Sequence, residues 1–389
     1  MTKLEQLIEE LCPNGVEYLK IGEVVNYEQP SKYIVNSTDY NDDFDVPVLT
    51  AGQTFVLGYT NEKSGIYNAS KEAPVIIFDD FTGAFKWVDF PFKVKSSAMK
   101  ILTVNDRKTY IRYIFHVMGH IGYSSTEHKR LWIGLYSEFE IPVPPLPVQS
   151  EIVRILDNFT ELTAELTAEL TARKQQYAHY RDTLLKLDNN APSYTLKDVC
   201  LSIADGDHMP PPKADSGVPF ITISNITETK QIDFSNVMYV PRDYYDKIAD
   251  KRKAKRDDIL YTVVGSFGIP VHISSKTEFV FQRHIAILRP NQQMIVPRYM
   301  YHIMQSTEFY KQADKAAKGA AQRTIGLSSL GNMTIPLPSI EEQKRIVAIL
   351  DRFDTLCNDI SAGLPAEIEA RQKQYEYYRD KVLTFEPAK

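Results

Sequence analysis

IPVPPLPVQSEIVRILDNF, residues 141–159, returns without a gap as IPLPSIEEQKRIVAILDRF at 335–353, an offset of 194. RKQQYAHYRDTLL (173–185) returns as RQKQYEYYRDKVL (371–383), this time at an offset of 198. The chain is therefore written twice, and four extra residues separate the blocks in its second copy. An internal repeat of this length sets the whole architecture. Fainter matches precede the helical blocks: RYIFHVM (112–118) with RYMYHIM (298–304), VPVLT (46–50) with VPFIT (218–222), and WIGL (132–135) with TIGL (324–327). Two segments share a scaffold while their surfaces differ, the pattern of duplication followed by divergence.

Periodicity supplies the elements. Ile152, Ile155, Leu156, Phe159, Leu162, Leu166, Leu170, Tyr177 and Leu184 recur every three or four residues, which is helical spacing. The prolines of 142–147 predict a helix starting near Val148, and Gly363-Leu364-Pro365 predicts a break in the second copy. Between the helical blocks, short β-rich runs (APVIIF, VPFITI, DDILYTVV, HIAIL) are punctuated by Gly, Pro and Asp. The reading is α+β: a mixed domain at 1–140, a helical region at 141–190, a second mixed domain at 191–334 and a second helical region at 335–389. The tetrads in TELTAELTAELTA place Leu162, Leu166 and Leu170 on one stripe drifting about 40° per step. Such a stripe suits a seam between two helices of common ancestry, packed antiparallel in a pseudo-twofold arrangement.

Bulk properties bound the function. The 389 residues exceed one ordinary domain, and 43% hydrophobic content is enough for packed cores. The start, MTKLEQLIEEL, is too acidic for a signal peptide, and no run has the length of a membrane span. Cys12, Cys200 and Cys357 lie far apart and read as free thiols, so a cytoplasmic protein is expected. Net charge is −5, yet residues 86–130 hold nine Lys/Arg against three Asp/Glu, and 247–323 hold fourteen against six. A ligand meets the local field, not the sum. No Asn/Asp-Pro-Pro-aromatic tetrad, glycine-rich cofactor loop or nucleotide cradle is present. His116 and His120 have metal-like spacing without a third ligand; His116 matches His302, which favours packing, and no metal is expected. Asp79-Asp80 and Asp205, Asp207 and His208 read as turns.

The paired blocks, the TAEL tetrads and the two QY-x-x-YRD helices closely resemble the specificity subunit of type I restriction–modification enzymes, over essentially the whole chain. That resemblance implies two target-recognition domains, each reading one part of a bipartite asymmetric double-stranded DNA site. It implies spacer helices that set the gap and dock two methylation subunits. Those partners would bind S-adenosylmethionine and methylate adenine; motor-nuclease (restriction) subunits would add ATP- and Mg-dependent cleavage. The chain itself would hold no cofactor and catalyse nothing. For docking, the matching helix positions are Leu162, Leu166, Leu170, Tyr177 and Tyr180, with Leu356, Ile360, Tyr375 and Tyr378 in the second copy. A protein-binding adaptor with two divergent domains on a coiled spacer is the alternative from another class.

Phosphate contacts position a reader and base-edge contacts specify the sequence. KRKAKR (251–256) offers Lys251, Arg252, Lys253, Lys255 and Arg256 to phosphates. KGAAQRT (318–324) joins flexible Gly319 to Gln322, Arg323 and Thr324, side-chain types that recognise adenine and guanine edges. It also lies just before the helical block, where the resemblance implies a DNA-facing loop. Ser266 in GSFG (265–268) sits where backbone can approach closely. The first-domain counterparts are Ser125, Thr126, His128, Lys129 and Arg130 in SSTEHKR, and Lys86 in FTGAFK (81–86).

Overall fold

The computed structural model describes residues 2–52, 54–104, 108–123, 129–186, 192–206, 210–320, 322–359 and 362–388. It forms two compact units, one of Met1–Ala164 with Ala370–Lys389 and one of Glu165–Glu369. Both passages of the chain from unit to unit lie inside helices. One falls among the TAEL tetrads of the 40-residue helix Leu146–Leu185, the other in the helix Leu364–Leu383. Each unit therefore combines one mixed domain with portions of both helical blocks.

The long helix begins at Leu146, ahead of the expected Val148, because Pro147 sits in its first turn, where a missing N–H is no loss. The second copy breaks as expected: one helix runs Ile340–Asn358 and the next starts at Leu364 with Pro365 in its first turn. A Cβ on Gly363 would stand 2.6 Å from the Thr355 carbonyl oxygen, so only glycine closes this corner.

In the first unit a four-stranded antiparallel sheet has the order Val25–Glu28, Met99–Val104, Val75–Asp79, Phe85–Val88. A three-stranded sheet has the order Val56–Thr60, Val46–Leu49, Lys93–Val94, its last pairing parallel. Alternate residues of the run Val75-Ile76-Ile77-Phe78 enter different cores. Ile76 and Phe78 pack with Tyr113, Ile114 and Val117 of the helix Ile111–Ile121. Val75 and Ile77 pack with Leu49 and Val94 of the smaller sheet. A strand covered on both faces needs apolar residues at every position, which explains the unbroken run.

The second unit repeats the topology. Its four-stranded order is Cys200–Asp205, Ile285–Pro290, Ile259–Thr262, Pro270–His272, and its three-stranded order is Met238–Val240, Val218–Ile221, Val280–Phe281. Ile259 and Tyr261 face the core that holds Tyr299, Met300 and Ile303, while Leu260 faces Ile221 and Phe281. The helix Thr307–Ala316 follows the shorter Pro297–Ile303.

Two polar devices recur in both units. Gln149 Nε2 donates to the carbonyls of Lys108 and Pro144, and its Oε1 accepts from Thr109 Oγ1 and Tyr110 N. Gln343 does the same with the carbonyls of Met294 and Pro338 and the N–H of Val296. Both glutamines are fully buried, so each ties the start of a helical block to the chain entering the domain's helix.

The second device is a four-residue network. In the first unit Asp157 Oδ1 lies 2.8 Å from both Arg112 Nε and His116 Nε2, and His116 Nδ1 lies 3.2 Å from the Tyr375 hydroxyl. In the second, Asp351 Oδ1 lies 2.9 Å from Arg298 Nε and 2.6 Å from His302 Nε2, and His302 Nδ1 lies 2.8 Å from the Tyr177 hydroxyl. An ionised carboxylate only accepts, which assigns the proton to Nε2 and leaves Nδ1 to accept from tyrosine. Burial holds both imidazoles below their ordinary pKa despite the adjacent carboxylates, consistent with neutral rings. The histidine reading at 116 and 302 is thus packing. Each tyrosine comes from the helical block that follows the other mixed domain. Phe159 stacks on Tyr378 at 5.2 Å and Phe353 on Tyr180 at 5.4 Å.

Asp157→Ala strands a buried histidine and an arginine, which should lower stability by about 3 kcal/mol in urea denaturation. Asp351→Ala should have the smaller effect, because Arg298 keeps Asp354 at 2.7 Å; equal losses would contradict this account. The depressed imidazole pKa values also set a pH dependence. The unfolded chain takes up protons that the folded units refuse, so stability is complete above about pH 6.5 and declines as pH falls below it. Thermal melts from about pH 8 to about pH 5 should show the decline, which a His116→Asn, His302→Asn double variant should reduce but not remove, because burial also holds His272 and His284 below their ordinary pKa.

Candidate nucleic-acid interface

At one end of the second unit's larger sheet, strand Ile259–Thr262 finishes, Pro270–His272 begins, Ile285–Pro290 begins and Cys200–Asp205 finishes. The connection 263–269 leaves from this end and contains GSFG. The segment 318–324 is laced to it: Gly265 N donates to Arg323 O at 3.0 Å, and Ile325 N to Val263 O at 2.8 Å. Lys318 and Thr324 exchange backbone hydrogen bonds of 2.9 and 2.8 Å, closing the loop on itself. Gly319 makes this possible with φ +114°, where a Cβ would stand 2.5 Å from Gln322 O.

Side chains complete the surface. Gln322 is exposed, with its amide nitrogen 3.7 Å from the position of a Cβ on Gly265. The Arg323 guanidinium lies 5.1 Å over the Phe267 ring, and Phe267 stacks on the half-exposed Tyr310 at 6.0 Å. Arg323 Nη1 pairs with Asp314 Oδ1 at 2.7 Å, and Nη2 reaches the Asp314 carbonyl. The structure therefore joins two loops that the sequence offered separately: Ser266, Gly319, Gln322, Arg323 and Thr324 share one edge.

KRKAKR is not part of that edge. It flanks the sheet and leads into strand Ile259–Thr262 at the opposite end, with Arg252 reaching back to Asp205 at the loop end, and four of its five cations have intramolecular partners. Arg252 meets Asp205 at 3.3 Å, Lys253 donates to Asp246 O at 3.0 Å, Lys255 meets Asp250 at 2.8 Å, and Arg256 approaches Asp257 at 4.0 Å. Lys251 is exposed. Three of these cations are thus paired with acids, Asp250 and Asp257 flanking the run and Asp205 brought in by the fold, which weakens the run as a phosphate clamp.

The first unit builds its sheet end in the same way. Asp79 Oδ1 accepts from the N–H groups of Phe81 and Thr82, a turn as expected. Asp80 is buried instead: its carboxylate accepts from Trp132 N at 2.9 Å and pairs with Lys100 at 3.4 Å, and its carbonyl accepts from Leu131 N. That carbonyl bond matches Val263 with Ile325, so the structural register sets Leu131 against Ile325. The sequence match of 132–135 with 324–327 is two residues out. Lys129 and Arg130 are exposed, whereas Lys86 is a half-buried strand residue opposite Ile77. Ser125, Thr126 and His128 lie outside the described residues.

On the helices, Leu162, Leu166 and Leu170 are half-buried while Glu161, Glu165 and Glu169 are exposed, so the stripe has a covered side. Tyr180 and Tyr378 are about two-fifths exposed, and Leu356 is half-buried. Tyr177 is a correction: it is 4% exposed and bonded to His302, so it is an internal strut and no docking surface. Tyr375 likewise spends its hydroxyl on His116. Ile360 lies outside the described residues. The sequence reading also passed over the turns Lys95–Ala98 and Gln282–His284, which reach the same sheet ends; the signal was a short polar break between two apolar strands, as in VFQRHIAI.

Residues 13–173 and 190–370 each match the family model described as the type I restriction modification DNA specificity domain. The chain belongs to the type I restriction–modification specificity subunits. It is 42% identical to the Escherichia coli EcoR124I/EcoR124II specificity subunit, covering 99% of this chain and 97% of that one. A type I specificity subunit of Haemophilus influenzae is 30% identical, over 99% and 98%. The fold resembles the crystal structure of a type I system S subunit from M. genitalium (TM-score 0.58, 13% identity, 95% and 96% covered). It also resembles a chain solved in work on complex assembly of a type I system (TM-score 0.53, 17% identity, 95% and 98% covered). Membership sets aside the protein-adaptor reading: this specificity subunit recognises DNA. Among the described residues, no group of three or more His, Cys, Asp or Glu side chains is placed to hold a metal, and no helix is long and apolar enough to cross a membrane.

Gly319→Ala should open the 318–324 loop without unfolding the unit. Hydrogen exchange at the Thr324 and Gly265 amides should accelerate while the global melting temperature changes by no more than a few degrees; unchanged exchange would show that the loop does not need the glycine.

Proposed function

We propose that each unit reads one part of a split, asymmetric DNA sequence, and that the long helices set the gap between the parts. The observation that carries this is the identity of strand order in the two units alongside the difference of their sheet-end loops. The same scaffold presents Gln322, Arg323 and Ser266 in one unit and Lys129 and Arg130 in the other. Two readers with different side chains give a bipartite site without palindromic symmetry.

The helix Leu146–Leu185 is about 60 Å long at ~1.5 Å per residue, the order of length needed to span one to two turns of duplex. Its antiparallel packing against the second helical block is supported by the two stacks, since Phe159 precedes Tyr180 while their partners Tyr378 and Phe353 run in reverse order. The exposed sides of these helices are the docking surfaces for two methylation subunits. Those partners carry S-adenosylmethionine and extrude the target adenine before methylating it. Restriction subunits with ATP and Mg complete a nuclease. The present chain supplies the address and no catalytic group.

Sequencing the methylome of a host carrying the subunit with its methylation partners tests the proposal: modified adenines should fall in two unlike half-sites at one fixed gap. Deleting Thr167–Leu170 removes ~6 Å of helix, equivalent to one or two base-pair steps of ~3.4 Å. The gap should shorten accordingly with both half-sites unchanged. A constant gap, or altered half-sites, would refute the spacer role.

A further inference from the structure

The turn Phe281-Gln282-Arg283-His284-Ile285 joins a strand of the smaller sheet to a strand of the larger one in the second unit. It belongs to the end where the GSFG and KGAAQRT loops meet, because Val263 N donates to His284 O at 2.8 Å and Val263 O accepts from Ile325 N. Gln282 N is held by Ile221 O at 2.9 Å, so the turn is anchored on both sides. The first unit has its counterpart one residue longer: Lys95 N donates to Leu49 O, and Asp80 N to Ala98 O. The position is the same, but Lys-Ser-Ser-Ala replaces Gln-Arg-His.

Arg283 differs from its basic neighbours. Arg323 is paired with Asp314, and most of KRKAKR is tied to acids, whereas Arg283 is exposed and has no acidic partner among the described residues. The Gln282 side chain also makes no hydrogen bond among the described residues. Gln282 and Arg283 line a pocket together with Pro211, Pro212, Lys213, Phe220 and Met238. Met238 is 45% exposed, an unusual position for a large apolar side chain. Amide, guanidinium and apolar wall are the three surfaces that major-groove edges of adenine, guanine and the thymine methyl group require.

We propose that Gln282 and Arg283 are specificity-determining residues for the second half-site, reading an adenine and a neighbouring guanine, with Met238 against the methyl of the thymine paired to that adenine. This rests on the DNA-reading function proposed above. The 282–284 turn is then a third reading element, joined at Val263 to the two loops already described.

The test uses the assembled subunit with its methylation partners, the host methylome, and binding to duplexes varied one position at a time across the second half-site. Arg283→Ala and Gln282→Ala should each lower affinity for the wild-type site about ten-fold or more and abolish discrimination at one position. The first half-site and the gap should not change. Arg283→Lys keeps the charge but loses the planar fork. It should fail to restore guanine selection; full rescue, or weakening that is uniform over all sequences, would show a phosphate contact and overturn the proposal. An unchanged motif in all three variants would also overturn it. A wild-type complex that methylates no bipartite site would instead defeat the underlying reading.

Discussion

The carboxylates of Asp157 and Asp351 hold each reading domain to its helical frame. Each accepts from an arginine and a buried histidine on the domain's helix, and the histidine passes the connection to a tyrosine on a helix from the other half of the chain. The geometry is demanding because every group is directional: the carboxylate cannot donate, the neutral imidazole does one of each, and the phenol closes the series. A loose attachment would let the reading loops wander relative to the helices, and a spacer of defined length would then specify nothing. Gln149 and Gln343 add a second fixed point at the residue just before the domain helix begins.

This explains which positions of the repeat stayed alike. The matched RY-x-x-H blocks contain Arg112, His116, Arg298 and His302; the ILD motifs contain Asp157 and Asp351; the QY motifs contain Tyr177 and Tyr375. Repeat periodicity alone revealed these residues, the helices and the broken second spacer, because helical order and internal duplication are local signals. Their mutual arrangement was not legible. That Tyr177 serves the second unit and Tyr375 the first depends on tertiary packing, and a surface role for Tyr177 looked equally natural from spacing.

The proposed reading face was legible in part, for a similar reason. Composition singled out the loop that carries Gln322 and Arg323, yet it also offered KRKAKR to phosphates, since counting charge in a window does not show which cations pair within the fold. Asp250 and Asp257 flank the run and enter the count, but their pairing with Lys255 and Arg256, and the arrival of Asp205 at Arg252, exist only once the chain folds. Conversely, Gln282 and Arg283 drew no notice because they interrupt two strands for only three residues. Topology alone shows that this interruption falls beside the 263–269 and 318–324 loops.

Covering both faces of the central sheet has one more result. Strand residues such as Ile76, Ile77, Leu260 and Tyr261 are all occupied with cohesion and contribute nothing to ligand choice. Chemical variety is confined to short turns that carry little of the folding energy. On the proposed reading, new target preferences arise by altering a handful of tip residues in one half, while the other half and the interior continue as before.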